Sequence, residues 1–317
     1  VYSDATKGWL PVSDDAVAIT DDVPTVQKAL FAFGSASGGA TNVSNLVNSS
    51  GVVATDTTGV GTSRYGLGGV GYGGDKAIFV FGYNGSALTN LSNLVSNEGV
   101  VASDGTGVGT ARTNTNTATY GGDKAITAFS QINSSTGGTS AISNLISSSG
   151  VVASDVSAVG TSRDSIMSNG YGADKGFFAF GYVGSTNTNL NTKNLVTNVG
   201  VVGADVTGVG TARRIGACCG YGIGLAVVAY GYASGSVNTR NLVNFEGVVA
   251  ADVSGAGTAR YGLTAVSYGG DKGIFGFGIG LTNVTNLVNS SGVIGSDVTG
   301  VGTARTNISA AGYSYSA

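Results

Sequence analysis

The sequence contains no histidine, and that absence excludes a great deal of chemistry. Without an imidazole there is no Ser-His-Asp or Cys-His nucleophile. Zinc, copper and haem sites ligated by histidine are excluded as well. Cysteine is almost missing too: the two present, Cys218 and Cys219, are adjacent. They cannot build a Cys₄ site, and they could bridge only through a strained eight-membered ring, so free thiols in a strand are expected. Proline numbers 2, methionine 1 and tryptophan 1. The near-absence of proline, with no three-residue glycine period, excludes collagen despite 55 glycines. Charge is also sparse: 10% of residues, 15 basic against 18 acidic, net −3. A nucleic-acid binder would need clustered Lys and Arg, so none is expected as a partner. No apolar run approaches the roughly 18 residues of a membrane span. With 42% apolar residues and so small a net charge, the chain should fold.

What is present is repetition. Gly-Thr-x-Arg ends at Arg64, Arg112, Arg163, Arg213, Arg260 and Arg305, at spacings of 48, 51, 50, 47 and 45 residues. An Asp stands eight residues before each, at Asp56, Asp104, Asp155, Asp205, Asp252 and Asp297. An Asn-Leu pair recurs at Asn45, Asn93, Asn144, Asn194, Asn241 and Asn286, and a tyrosine at Tyr72, Tyr120, Tyr171, Tyr221, Tyr268 and Tyr313. Each unit reads as four short strands: a small-residue segment such as 65–72, an aromatic alternating strand such as 77–82, a third ending in Asn-Leu-Val, and a fourth such as 52–62. Glycine-containing turns between period-2 segments signal antiparallel hairpins.

Four-stranded repeats of this length predict an all-β fold, a six-bladed β-propeller with four antiparallel strands per blade. The small-residue strand suits the crowded axis, and the aromatic strand suits packing between blades. The first unit lacks its own inner strand, and 306–317 reads as an orphan inner strand that would pair beside 28–34 and close the ring. Closure removes exposed strand edges. The expected domains are an acidic arm, 1–27, and a propeller, 28–317. Blade 1 takes 28–64 plus 306–317; blades 2 to 6 take 65–112, 113–163, 164–213, 214–260 and 261–305.

This unit resembles the kelch repeat, which also starts after an Arg, runs through small residues to a Gly-rich turn and continues into an aromatic strand ending in glycine. The resemblance covers roughly 28–317, but the kelch tryptophan is absent and valine takes its region. The phrasing YGGDKAIF, NLVNSSGVV and TGVGTAR also resembles kelch-like repeat proteins among the virion components of tailed bacteriophages. That resemblance implies a virion-surface protein, a tail fibre or decoration component, that serves structure and attachment to a host-surface glycan or protein. Residues 1–27 would then be either a strap along the propeller or a docking arm for other virion proteins. The alternative is a secreted or cell-surface lectin-like propeller.

An enzyme is not expected, and neither is a cofactor or a metal. The recurrent Asp and Arg residues should brace the connections between neighbouring units, by salt bridges or hydrogen bonds to backbone. The acids outside the repeats and the arm are Glu98, Asp164 and Glu246. Glu98 and Glu246 hold equivalent turn positions in different units, whereas a glycosidase needs two carboxylates about 5 to 10 Å apart. Sialidase-like arginine triads and tryptophan-containing Asp-boxes are missing, as are the histidine ligands of kelch-type copper oxidases. Binding is expected instead on the variable loops at 35–40, 83–88, 131–140, 182–190, 232–237 and 279–281. Their candidate residues are Tyr83, Asn84, Ser86, Gln131, Asn133, Tyr182, Asn187 and Tyr232. Amides and hydroxyls there would bond a sugar or a protein, and tyrosine would supply a stacking face.

Overall fold

A computed structural model of the chain describes residues 2–4, 8–9, 26–133, 137–157 and 159–315. The fold is all-β. Three-stranded antiparallel sheets recur along the chain, each with its strands in sequence order: Gly68–Tyr72 with Lys76–Val80 and Ser92–Val95; Asn116–Tyr120 with Lys124–Asn133 and Gly138–Ile146. The next are Met167–Tyr171 with Lys175–Val183 and Thr188–Val196, and Ala217–Gly220 with Ala226–Tyr232 and Ser236–Val243. Thr264–Tyr268 follows, with Lys272–Gly278 and Thr282–Val288. The sheet of the first unit takes its inner strand from the far end of the chain. Ser309–Tyr315 pairs antiparallel with Val26–Ala32, Ala311 opposite Leu30, and Ser44–Val47 lies on the other side.

Composition decides which strand goes where. Inner strands such as GGVGY carry side chains small enough for several strands to approach one another. They touch in succession: Gly68–Tyr72 meets Asn116–Tyr120, which meets Met167–Tyr171, then Ala217–Gly220, Thr264–Tyr268 and Ser309–Tyr315, and the last touches the first. Middle strands are buried on both faces, and their period-2 alternation serves two neighbours at once. Phe31 packs edge-on against Phe277 of the preceding sheet, while Leu30 and Ala32 pack with Phe79 of the next. Each cluster of buried side chains is thus shared between two units, and none lies within one.

Each of these repeated sheets has three strands where four are expected. The segment after the third strand attaches at two isolated bridges, for example Val47 with Val53 and Ser44 with Thr57. Between those bridges the Asn45 side-chain amide takes the Ala54 carbonyl at 3.0 Å. A side chain thereby satisfies a backbone group that a ladder would have used, and the segment stays beside its own third strand without forming a continuous ladder.

A second departure sits within or just past each middle strand. Phe33, Phe81, Phe129, Phe180, Tyr230 and Phe277 all have φ between 54° and 66°. A bulky residue there is strained. The register slips at this point, as between Ala179 and Gly181: the third strand spends three residues, Lys193 to Leu190, where the middle strand spends two, so the extra residue of the bulge lies opposite the aromatic.

Candidate functional site

The repeated polar residues converge on the joints between units. In one joint Arg163 donates through Nη2 to Asn194 Oδ1 at 2.7 Å and through Nε to the Phe180 carbonyl at 2.8 Å. Asn194 Nδ2 donates to Asp205 Oδ1 at 2.8 Å and to the Gly203 carbonyl at 2.9 Å. The other Asp205 oxygen accepts from the backbone N–H and the hydroxyl of Thr161 at 2.9 and 2.5 Å. The guanidinium stacks on Phe129, 4.3 Å from the ring centroid. Here the strained aromatic earns its conformation: its ring supports one arginine, and its equivalent in the next unit offers that arginine a carbonyl.

The Arg–Asn–Asp link recurs from Arg64 to Asn93 and Asp104, and from Arg112 to Asn144 and Asp155, although in these two joints the arginine Nε is buried without a partner. It joins Arg213 to Asn241 and Asp252, and Arg260 to Asn286 and Asp297. The sixth set crosses from the end of the chain to its start: Arg305 donates to Asn45, and Thr303 N–H to Asp56 at 3.0 Å. No Asp bonds the Arg eight residues after it. Each pairs with the Arg or Thr of the unit before, a link a linear motif conceals. The six asparagines are fully buried, and the sequence signal for their part was present: each stands 11 residues before its Asp although the repeats themselves vary in length.

Burial taxes these charges and the bonds offset it. Burial pushes the guanidinium groups of Arg112, Arg163, Arg213 and Arg305 down to about 10, which leaves them charged at neutral pH. At each joint Asp, burial pulls the pKa up. Bonds from a Thr hydroxyl, an Asn amide and a Thr N–H, with the nearby Arg, more than offset that and hold the carboxyl below its ordinary value. These groups are bonded to one another across the joints. The Asp75–Lys76, Asp123–Lys124, Asp174–Lys175 and Asp271–Lys272 pairs are half-exposed ion pairs within single turns.

The eight binding candidates separate into two kinds. Asn84 accepts the Ser86 and Ala87 N–H groups at 2.9 and 2.8 Å, so Asn84 and Ser86 shape their own turn. Gln131 and Asn133 belong to a middle strand, as do Tyr182 and Tyr232, and not to loops. The polar, β-branched stretches opposite them, such as Thr188–Val196, prolong the ladder beyond the bulge. Gln131 Oε1 accepts from Asn114, and Tyr83 packs edge-on against Tyr65, 5.4 Å between centroids.

Tyr182, Asn187 and Tyr232 come together around a residue the sequence reading passed over. Arg214 follows a joint arginine and bridges to Tyr232 through its backbone. Its guanidinium lies 3.8 Å from the Tyr182 centroid and 5.3 Å from that of Tyr232, which in turn meets Tyr261 edge-on at 5.2 Å. Tyr182 donates its hydroxyl to Asn187 Oδ1 at 2.9 Å. Asn189, opposite Tyr182 in the hairpin, donates to the Ala233 carbonyl at 3.0 Å. Asp164, buried, bridges to Tyr182 through its backbone; burial lifts its carboxyl to about 6, with a Ser165 bond and the Arg214 charge pulling the other way. The signal was a break in the pattern: the residue after the joint Arg is Tyr65, Thr113, Asp164, Tyr261 or Thr306 elsewhere, and a cation here alone.

Along the inner strands lies a cavity of about 350 Å³, lined by glycines and by hydroxyls such as Thr117, Ser168, Ser267 and Ser309. Cys218 and Cys219 are buried and unpaired in an inner strand, and burial raises both thiols. Among the described residues no three acidic or thiol side chains converge as a metal site would require, and no helix is long and apolar enough to cross a membrane. Most of 1–27, the expected docking arm, lies outside the described residues; within it Tyr2–Asp4 pairs with Gly8–Trp9. No protein-family model matches the chain, and no curated protein matches it.

Proposed function

We propose that the chain is a six-bladed, kelch-like propeller that works without catalysis, as a structural and binding module at a surface. Four kinds of contact support the ring, and each returns to its starting unit. Inner strands touch in succession. The Arg–Asn joints run from Arg64 round to Arg305. Inner-strand tyrosines pack on the turn glycines of the next unit, Tyr72 on Gly150 and, across the ends, Tyr268 on Gly51. The C-terminal strand completes the first sheet.

The observation that carries the non-enzymatic reading is the use of the charged groups. The twelve recurrent Asp and Arg residues are engaged in joints, which leaves few groups free for proton transfer. What varies from unit to unit is the end of the molecule that bears Tyr83, Tyr182 and Tyr232, on a rigid frame suited to recognition. The setting we favour is a virion surface, with 1–27 as the piece that docks to other virion proteins, because the repeat phrasing resembles phage components. Tyrosine and amide groups around Arg214 favour the second reading, a secreted or cell-surface lectin-like module.

Electron imaging of the native source, with label directed at this chain, tests the setting. Regular label on phage-like particles supports the virion reading. Label on cells or in the soluble fraction, with no particles, contradicts it and leaves the lectin-like one.

A further inference from the structure

The seam between the fourth and fifth units holds unmade hydrogen bonds of both signs. Arg214 is the one described arginine whose guanidinium makes no hydrogen bond or salt bridge. Arg240, for comparison, caps the Gly292 carbonyl at 2.6 Å, and the six joint arginines are bonded to asparagines. Arg214 Nε is buried without a partner, and so is Asn189 Oδ1. A buried donor and a buried acceptor left unmade each cost free energy; Arg64 Nε and Arg112 Nε share that state at the joints, but there the rest of the guanidinium is bonded, whereas at Arg214 it is not.

The surroundings hold the guanidinium in place. The Tyr182 face supports it at 3.8 Å, Tyr232 flanks it, and Tyr261 packs edge-on against Tyr232. A guanidinium stacked on aromatic rings loses little freedom on binding, and its planar fork suits a carboxylate. The Asn189 amide donates to the Tyr232 and Ala233 carbonyls, so its oxygen is fixed as an acceptor beside the same ring. Asn187 spends its Oδ1 on the Tyr182 hydroxyl, which leaves its Nδ2 as a donor at the exposed rim.

We propose that this seam, where Tyr182 and Tyr232 flank Arg214, binds an acidic saccharide through the sugar carboxylate. The carboxylate accepts from Arg214, and a ring hydroxyl donates to Asn189 Oδ1. A bare inorganic anion fills the first requirement and not the second. A uronic or sialic acid residue fills both. The rim beside it is polar, with Asn187, Thr188 and Ser236, which suits hydroxyls better than apolar side chains. This inference rests on the reading of the molecule as a surface binding module. It stands apart from the virion setting, because binding is measured on the purified chain.

The test is calorimetric titration of the intact protein with three acidic probes: trigalacturonate, a glucuronate-containing hyaluronan fragment and sialyllactose. Methyl-esterified trigalacturonate, sodium sulfate and a tri-glutamate peptide serve as comparators. The proposal expects at least one acidic sugar to bind, with its methyl ester at least tenfold weaker where that comparison applies. Arg214→Gln is expected to weaken binding at least tenfold, and Asn189→Ala several-fold, with melting temperatures near that of the parent. Arg214→Lys keeps the charge, loses the fork and should fall in between. Failure of all three sugars to bind overturns the proposal, as does binding unaffected by Arg214→Gln. Sulfate or tri-glutamate binding as tightly as the sugars would also overturn it, since the site would then recognise charge alone or a peptide. Should a variant fail to fold, the ester comparison on the parent protein still decides.

Discussion

Thr303 donates its backbone N–H to Asp56 at 3.0 Å although 247 residues separate them in sequence. The contact repeats one made between consecutive units, Thr161 with Asp205, so the joint between the chain ends is built like those inside it. If the joints are equivalent, their energetics should be too.

Arg163→Ala and Arg112→Ala are therefore expected to destabilise by similar amounts, about 3–5 kcal/mol each. Either change strands a buried Asn oxygen and empties the space over an aromatic ring. Arg305→Ala, at the joint between the chain ends, should match them. Thermal and denaturant unfolding measure all three; an Arg305→Ala protein with an unchanged midpoint would show that the terminal joint carries no load.

Lys76→Ala should leave the melting temperature where it is. Its partner Asp75 is the adjacent residue, and the pair is wet. Comparison with Arg112→Ala separates joint charges from turn charges, and a loss comparable to that of Arg112→Ala would contradict the distinction.

Two glycine substitutions isolate the fit at a joint. Gly61 has φ +86°, and a Cβ there would lie 2.5 Å from Asp104 Oδ1; Gly85 has φ +94° and open space around it. Gly85→Ala should cost only the backbone strain, roughly 1–2 kcal/mol. Gly61→Ala carries the same strain plus displacement of the carboxylate, and should cost clearly more. Equal costs in chemical denaturation would mean that the joint yields freely.

Asp164 gives the molecule a specific pH response. Burial raises its carboxyl from 3.8 to about 6 in the folded state. Between those values the unfolded chain has lost a proton that the native state keeps. The stabilisation is thus full below about pH 4 and is lost as pH rises through 6. Asp164→Asn should match the parent near pH 4 and exceed it at pH 8 by roughly 2–3 kcal/mol. Parallel stability curves across that range would contradict it. The joint aspartates act in the opposite sense, their contribution present at neutral pH and lost as pH falls below the ordinary carboxylate range.

Much of this was legible in the sequence, because repetition turns small signals into large ones. The Gly-Thr-x-Arg spacing located the units, and the orphan 306–317 located the strand that joins the first sheet. Partnerships were harder to see. A linear motif places Asp56 beside Arg64, whereas packing places it beside Thr303. The third-strand Asn reads as a strand residue until its buried side chain is seen to interrupt the ladder and join Arg to Asp. Arg214 is hard to read from the sequence because it follows Arg213 directly, and a repeat displays what is shared between units, whereas this residue is what differs.

The central claim is that the units form a ring which the last strand completes. Hydrogen exchange of the amides in Ser309–Tyr315 tests it most directly. The ring predicts that amides bonded to Val26–Ala32 exchange only with global unfolding, as slowly as those of Lys175–Val183. Exchange of that strand at the rate of a frayed terminus, while the other sheets stay protected, would contradict it.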